Sequence, residues 1–511
     1  MQYVIINSEV NMKTSIILMI VTVFSKIFGL LREQTLARLF GTGIISDVFL
    51  IGFQIPMAFT NIISGATANG YIPIYNQVLK EKDLDEADKF TSNFSNILFV
   101  FTFLISILLL IFSPQLIDAM APGFEGQKRQ LAIFITKMGL MSISITSSAS
   151  IFKAYLQIKK RFVVSVLHSI IMNVILMLSM YFAYKQGKNY LAYGMFLSFV
   201  LQYIIFLPYI RKEGYRHKFV FDIKDDYLKQ MLKIIVPILI STSVIELNFI
   251  ISKALASNVE AGGVSILNYA YKLQSFVSGI VITSIVTAVY PTMAKFGSAK
   301  DMEGLKKSSE KALSFVLFLV IPATIGLYLY AEPIVKILFL RGEFTELDAM
   351  KTMRVLMFYA IGLLGIGVRE IISRVFYTIN DTKTPVINSV IMVGLNIVLS
   401  LILVKKYDID GLALATSLSF IVGAILIFIS LRKKIGSLFE KRTYKNLFKI
   451  LIASFVMAGI SFVIHLSLLG KISYTINFLI SLLSAGLIYF IMIWLLKVDE
   501  LKELLNFRKN K

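Results

Sequence analysis

The stretch 94–112, FSNILFVFTFLISILLLIF, decides the fold class, because it contains nineteen consecutive residues without a charged side chain. As a helix, a run of this length crosses a hydrocarbon core of about 30 Å. Lipid offers the backbone no hydrogen-bond partner, so a spanning segment satisfies its own N–H and C=O groups by forming a helix. A transmembrane barrel would instead show alternating segments of about ten residues. The stretch therefore predicts a membrane-spanning helix.

Similar apolar runs follow one another on both sides of this stretch. The chain has 511 residues, of which 57% are hydrophobic and only 16% charged, and its mean hydropathy is +0.76. A soluble protein is about a quarter charged. We therefore predict an all-α polytopic membrane protein with about fourteen transmembrane helices. The predicted spans are 14–31, 44–75, 94–112, 131–155, 162–183, 190–210, 231–257, 264–296, 312–331, 352–380, 384–404, 411–431, 446–468 and 473–496.

A weak internal repeat predicts how these helices are grouped. The segment 153–173, KAYLQIKKRFVVSVLHSIIMN, resembles the segment 374–396, RVFYTINDTKTPVINSVIMVGLN. Repeats with a site between them are a common transporter plan. We expect two six-helix lobes around a central cavity, followed by two additional C-terminal helices. The expected bounds are 1–222 for the N-terminal lobe, 223–438 for the C-terminal lobe, and 439–511 for the last two helices and a cytoplasmic tail.

Basic residues are distributed unevenly among the loops. The loops at 159–161 and 432–442 are rich in Lys and Arg, whereas the loop 258–263, NVEAGG, has none. Basic loops stay in the cytoplasm, so we expect both termini there, in a multi-pass protein of a bacterial cytoplasmic membrane. Topology then explains the net charge of +21 without nucleic-acid binding. The N-terminus lacks the basic region and cleavage site of a signal peptide, and Met12 is an alternative start to Met1.

Ionisable side chains inside the predicted spans mark candidate functional positions, because a charge in the membrane interior is costly. Span 1 contains Lys26, with Arg32 and Glu33 near its end. Lys272 lies in a polar stripe on span 8, and Arg369 lies on span 10. Lys26 and Lys272 are deep within apolar sequence. Lining a cavity between two lobes, they would form a cationic site for a diphosphate.

Spans 2 and 7 carry polar side chains at steps of seven residues. Span 2 has Asp47, Gln54 and Asn61, and span 7 has Glu246 and Lys253. Residues at this spacing share one helix face, so each stripe is expected to face a polar cavity or a partner helix. The alternative interpretation is internal neutralisation, in which Glu246 pairs with Lys253.

A coupling-cation site is a further possibility in the C-terminal lobe. Glu246, Asn396, Ser400 and Thr416 offer carboxylate, amide and hydroxyl oxygens, which suit a hard cation such as sodium. The competing interpretation is that the polar groups of spans 11 and 12 make ordinary interhelical hydrogen bonds. The sequence predicts no other cofactor.

No enzyme motif is present. The chain lacks HExxH, Walker A, GxSxG and GxGxxG sequences, and it has no cysteine. Its three histidines, His168, His217 and His465, are far apart in sequence and do not form a metal-ligand pattern. A transporter without an ATP-binding motif must be driven by an ion gradient, the membrane potential or the substrate gradient.

Four stretches resemble the MurJ (MviN) lipid II flippases, a family of the multidrug/oligosaccharidyl-lipid/polysaccharide exporter superfamily. They are SKIFGLLREQTLARLFGTGIISDVFLIGFQIP (25–56), APGFEGQKRQLA (121–132), FLRGEFTELDAMKTMRVLMFYAIGL (339–363) and REIISRVFYTINDTKTPVINS (369–389). The resemblance implies a flippase that moves undecaprenyl-diphosphate-linked peptidoglycan precursor from the inner to the outer leaflet by alternating access, for cell wall biosynthesis. The cell-wall synthesis machinery is a candidate partner.

The resemblance places the family's cavity-facing charges on Lys26, Arg32, Asp47 and Lys272. This chain departs from the family's pattern in span 2: relatives from Gram-negative bacteria carry an Arg pair and a Glu there, and the matching positions here are Thr60, Asn61 and Gly65. Span 2 is therefore expected to contribute less charge here. The full substrate-binding set that we predict is Lys26, Arg32, Glu33, Asp47, Gln54, Lys272 and Arg369.

Three other functions are compatible with a bundle of apolar membrane-spanning helices. The first is a sister transporter, either a flippase for O-antigen, teichoic or capsular lipid-linked sugars or a cation-coupled drug exporter. The second is a polytopic glycosyltransferase or cell-wall polymerase, which needs a catalytic carboxylate on a sizeable external loop; the loops at 184–189, 258–263 and 405–410 are short. The third is a pore.

Overall fold

A computed structural model of the chain describes residues 12–501, so the question of a start at Met1 lies outside the described part. Within that range the chain forms seventeen α-helices and no strand. The helices are α1 (Met12–Phe40), α2 (Ile44–Glu81), α3 (Leu84–Ile111), α4 (Ser113–Met120), α5 (Gly126–Leu140), α6 (Ile143–Ile158), α7 (Phe162–Gln186), α8 (Tyr190–Ile204), α9 (Phe206–Lys212), α10 (Asp226–Val259), α11 (Gly263–Ser298), α12 (Met302–Leu329), α13 (Ala331–Phe339), α14 (Glu346–Thr378), α15 (Lys383–Ile435), α16 (Lys441–Leu468) and α17 (Tyr474–Leu495).

Every predicted span is helical over most of its length in this structure. Ten helices of the described chain are long and apolar enough to cross a membrane, or eleven when the bent pair α5–α6 is counted as one span. That pair bends by 42° and corresponds to the single span predicted at 131–155. The short helices α4 and α13 form connectors between spans. The all-α membrane fold is therefore confirmed.

Helix α15 contains two predicted spans in one helical run of 53 residues. Its helical conformation is interrupted at Asp408, which has φ 49° and ψ −132°. Just beyond this break a Cβ on Gly411 would lie 2.3 Å from the carbonyl oxygen of Leu403, so only glycine allows the two arms to approach so closely. The run is therefore a hairpin of two helices, corresponding to the spans predicted at 384–404 and 411–431.

Four helices, α3, α10, α12 and α14, start at side chains that cap their free N–H groups. Asp83, Asp225 and Asp301 accept hydrogen bonds from backbone N–H groups in the first turns of α3, α10 and α12. Helix α14 starts with a capping box, in which Thr345 and Asp348 each bind the other's backbone N–H. These polar caps favour the start of these four helices at these residues.

The chain divides into two compact units, Met1–Ser265 and Ile266–Lys511. In the first unit, α10 packs along α2, and α1 packs along α7. In the second unit, α14 packs along the hairpin α15 and along α12. The packing of α10 on α2 places the boundary between units later than residue 222, where the sequence predicts the boundary between lobes. The lobe boundaries stay a prediction, because compactness alone does not define them.

The turn that follows α6 has the same conformation as the turn that follows α14. Lys160 and Asn380 have left-handed φ angles of 59° and 58°. In the first turn Arg161 N donates to Leu156 O at 2.8 Å. In the second turn Asp381 N donates to Phe376 O at 3.0 Å. These turns lie within the two segments that the sequence pairs as a repeat.

The last two helices are part of the second unit. Phe318, Ile450, Met457 and Tyr489 form an apolar cluster that joins α12, α16 and α17. The Tyr489 hydroxyl also donates a hydrogen bond to the carbonyl of Phe318. Burial of this cluster holds the additional helices against α12.

Candidate substrate-binding site

Helix α1 carries three of the predicted site residues. Arg32 and Glu33 are buried and form an ion pair with each other, and the guanidinium carbon of Arg32 lies 4.9 Å from the centre of the Phe53 ring. Arg32 Nε has no hydrogen-bond partner among the described residues. Lys26 is half-buried and makes no ion pair or hydrogen bond with any described residue, and the hydroxyl of its neighbour Ser25 donates to Ser169 on α7 at 3.0 Å.

The polar stripes of α2 and α10 face each other. Asn61 Nδ2 donates to Glu246 Oε1 at 3.0 Å, and Gln54 Nε2 lies 3.4 Å from Glu246 Oε2. Lys253 Nζ donates to Gln54 Oε1 at 2.6 Å. Gln54 therefore bridges the carboxylate and the ammonium of α10. We call these four side chains the α2–α10 polar seam.

Asp47 binds backbone rather than another charge. It is fully buried, and its two carboxylate oxygens accept hydrogen bonds from Gly262 N at 2.8 Å and Ser265 N at 2.9 Å. These N–H groups lie at the start of α11, where a helix offers unpaired donors and a partial positive charge. Asp47 thus caps α11, and its contact with substrate stays a prediction.

Hydroxyl groups connect α2 to α6. Thr60 donates to Thr146 at 3.2 Å, and Ser150 donates to Thr67 at 3.4 Å. The position at which the resemblance expects an arginine thus holds an uncharged side chain that is bonded to α6. Span 2 contributes hydrogen bonds between helices here rather than positive charge.

Lys153, on α6, is a candidate that the sequence analysis did not single out. It is half-buried, and it makes no ion pair or hydrogen bond with any residue in the described range. The signal that could have found it is its position inside the predicted span 131–155, where any charged side chain is a candidate.

The second unit holds the remaining basic candidates. Arg369, on α14, donates from an Nη to the Ser389 hydroxyl on α15 at 2.5 Å, while its Nε has no partner within the described chain. One turn further on, Arg374 pairs with Glu370 at 2.8 Å, the arrangement that their spacing predicts. Lys272 is half-buried on α11.

Three members of the predicted sodium set lie on the hairpin α15. Asn396, Ser400 and Thr416 are all buried. The Ser400 hydroxyl donates to Asn396 Oδ1 at 3.2 Å, and the Thr416 hydroxyl donates to the carbonyl of Leu412 at 2.9 Å. Since Leu403 approaches Gly411 across the hairpin, the antiparallel register brings Ser400 level with the turn that contains Thr416.

The fourth member, Glu246, belongs to the first unit and accepts hydrogen bonds from α2. The sodium site therefore stays a prediction, with three oxygens on one hairpin and the carboxylate in the polar seam. The competing interpretation, hydrogen bonds between helices, also stays a prediction, because the bonds of Ser400 and Thr416 lie within their own helical segments.

The described helices define a multi-pass membrane bundle with buried basic groups. Among solved structures, it is similar to an inward-facing multidrug transporter of the MATE family of the MOP superfamily, with a TM-score of 0.69 and 15% identity, over 81% of this chain and 95% of the other. That likeness shows the fold.

The particular family follows from the sequence relatives. The model of the family "Lipid II flippase MurJ" matches residues 36–483, and the chain belongs to this family. A protein described as a probable lipid II flippase MurJ from Rickettsia prowazekii (strain Madrid E) is 30% identical over 414 residues, covering 80% of this chain and 81% of the relative. One from Vibrio cholerae serotype O1 is 26% identical over 461 residues, covering 88% of each. A solved structure described as "Lipid II flippase MurJ, inward closed conformation" has a TM-score of 0.81 and 27% identity, over 93% of this chain and 98% of the other.

Proposed function

We propose that this chain moves lipid II, an undecaprenyl-diphosphate-linked peptidoglycan precursor, from the inner to the outer leaflet of the bacterial cytoplasmic membrane by alternating access. Membership of the family over residues 36–483 is the observation that carries this function. The multi-pass helical fold supports it, because the substrate is a lipid and its carrier must lie in the bilayer.

The buried basic side chains supply the chemistry that a diphosphate requires. Arg32 keeps an Nε–H without a partner in the described chain, and Lys26 has no counter-ion there. In the second unit, Lys272 and Arg369 are the corresponding basic groups. Charge-assisted hydrogen bonds from such groups to phosphate are short and strong. A lysine supplies a point charge, whereas an arginine can bind two phosphate oxygens at once.

The driving force in this proposal is an ion gradient or the membrane potential. Sodium would be held by Glu246, Asn396, Ser400 and Thr416, whose oxygens are hard ligands. Both termini would be cytoplasmic, which places the basic loops on the inner side. Proteins of the cell-wall synthesis machinery are proposed partners that supply or use the substrate.

A complementation experiment tests the proposed function. A strain in which the native flippase is depleted is supplied with the wild-type chain or with the double variant Lys26→Ala, Lys272→Ala. We expect the wild-type chain to restore growth and the double variant to fail at equal protein level, because each lost phosphate contact of roughly 1.5–3 kcal/mol weakens binding about tenfold or more.

The control is Lys137→Ala, which removes an exposed lysine from α5. Lipid-linked intermediates are identified by mass spectrometry in the depleted cells. Accumulation of lipid II on the inner leaflet supports the proposal. Accumulation of another lipid-linked polysaccharide, with normal lipid II, contradicts it in favour of a sister flippase.

A further inference from the structure

A polar stripe runs along the face of α6 that is turned towards α2. Thr146, Ser150, Lys153 and Gln157 follow one another at steps of four, three and four residues, and so share one helix face. The first two bind hydroxyl groups of α2, as described above. The stripe therefore has two parts. Thr146 and Ser150 are hydrogen-bonded to α2, and Lys153 is the next residue along the same face.

Lys153 has no counter-charge. No described carboxylate lies close enough to interact with it, and the titratable group with which it does interact is His168 on α7, which carries no negative charge. Charged side chains inside a membrane are normally paired or face a substrate path, because an unpaired buried charge is costly. The structure gives Lys153 no ion pair or hydrogen bond within the described chain that would offset this cost.

A basic turn follows the end of the helix that carries this lysine. The helix ends at Ile158 and is followed by the basic sequence 159–161, KKR. Lys160 and Arg161 in that turn are exposed, and Arg161 also forms an ion pair with Glu213 at 2.6 Å. At a rise of about 1.5 Å per residue, Lys153 lies roughly 10 Å further along the helix axis from the turn. Surface basic residues of this kind attract the headgroups of anionic lipids.

We propose that Lys153 binds a phosphate group of a lipid in the first unit, after the basic turn 159–161 has attracted it. The expected ligand is the diphosphate of the lipid-linked substrate, and this expectation rests on the proposed function. The same chemistry would recognise the phosphate of an anionic bilayer lipid, so the experiment uses both.

The experiment measures lipid binding to the purified full-length chain in detergent by native mass spectrometry. The probes are undecaprenyl diphosphate and phosphatidylglycerol. The variants are Lys153→Gln, which removes the charge, and Lys153→Arg, which keeps it. Lys137→Gln is the matched control, because it removes an exposed lysine from the other half of the same bent span.

We expect Lys153→Gln to weaken binding about tenfold, while Lys153→Arg and Lys137→Gln stay within about twofold of the wild type. We also expect the melting temperature of Lys153→Gln to equal or exceed that of the wild type, because no described residue loses a partner. If Lys153→Gln weakens the binding of undecaprenyl diphosphate, the ligand is the substrate. If it weakens the binding of phosphatidylglycerol alone, the ligand is a bilayer lipid.

Wild-type affinity of Lys153→Gln for both probes overturns the site. Equal losses in Lys153→Gln and Lys153→Arg also overturn it, because charge would then not be the property that binds. A wild-type chain that binds phosphatidylglycerol but not undecaprenyl diphosphate contradicts the proposed function, and the phosphatidylglycerol arm then decides whether the Lys153 site exists.

Discussion

Replacing Gln54 by leucine tests the α2–α10 polar seam. The side chain accepts from Lys253 at 2.6 Å, and its amide nitrogen lies 3.4 Å from the Glu246 carboxylate. Leucine has a similar size and no polar atoms, so it removes both contacts while filling the same space. Glu246 keeps its hydrogen bond from Asn61.

The size of the effect follows from the two lost contacts. Interhelical hydrogen bonds in membrane proteins contribute about 0.6 kcal/mol on average and up to about 1.7 kcal/mol. The contact with Lys253 is short and charge-assisted, so it belongs near the upper limit, whereas the 3.4 Å contact is weak. We therefore expect Gln54→Leu to lower the free energy of unfolding by about 1–2 kcal/mol. In a unit of this size that corresponds to a melting temperature lower by roughly 2–6 °C.

The assay is thermal unfolding of the purified chain in detergent, followed by intrinsic fluorescence. Gln77→Leu is the control, because Gln77 is on the same helix and binds Glu81, outside the seam. A double-mutant cycle with Lys253→Met isolates the pair, and we expect a coupling energy of about 1 kcal/mol. Additive effects of the two substitutions, or an unchanged melting temperature in Gln54→Leu, would refute the bridge.

Three further predictions concern sodium, topology and pH. Sodium should raise the melting temperature of the wild-type chain and not that of Glu246→Gln; an equal rise in both removes the carboxylate from the predicted site. Single cysteines at the exposed positions Asn258 and Ser437 should differ, with 258 labelled by an impermeant thiol reagent from outside and 437 not, and the chain has no other cysteine; the reverse labelling contradicts the topology. Burial would raise the pKa of Asp381, but hydrogen bonds from Lys434 and Thr384 outweigh it and lower the pKa to about 2. A carboxylate whose pKa is lower in the folded state stabilises the fold at pH values above its unfolded pKa of about 4. This stabilisation is lost as the pH falls through the folded pKa. The stability difference between wild type and Asp381→Asn should therefore shrink from pH 5 to pH 2, and a constant difference would disprove the assignment.

The helical spans were predictable because each depends on a local property, the absence of charge over a length that crosses a bilayer. The break at Asp408 was also visible, as the short charged segment between two apolar runs. The orientation of two stripes was predictable as well. Steps of seven residues on α2 and α10 predict a polar face on each helix, and the structure brings these faces together at Asn61 and Glu246.

The partners within the seam were not predictable. The sequence suggests that Glu246 pairs directly with Lys253, which lies seven residues and about 10 Å further along the helix axis, and that direct pair stays a prediction. An amide from another helix fills that interval, and Gln54 is 199 residues away from Lys253 in sequence. The cap at Asp47 escaped prediction for the same reason, since it accepts from Gly262, 215 residues later.

The charged groups of the first unit fall into two kinds with different expected consequences. Asp47, Glu246 and Lys253 bind other helices, so their removal should lower stability before it affects transport. Lys26 and Lys153 have no ion pair or hydrogen bond with any described residue, so their removal should leave stability intact and weaken the binding of an anion. Natural proteins retain such costly groups where function needs them. A scan that measures melting temperature and lipid binding together can therefore separate the residues that hold the bundle from those that hold its substrate.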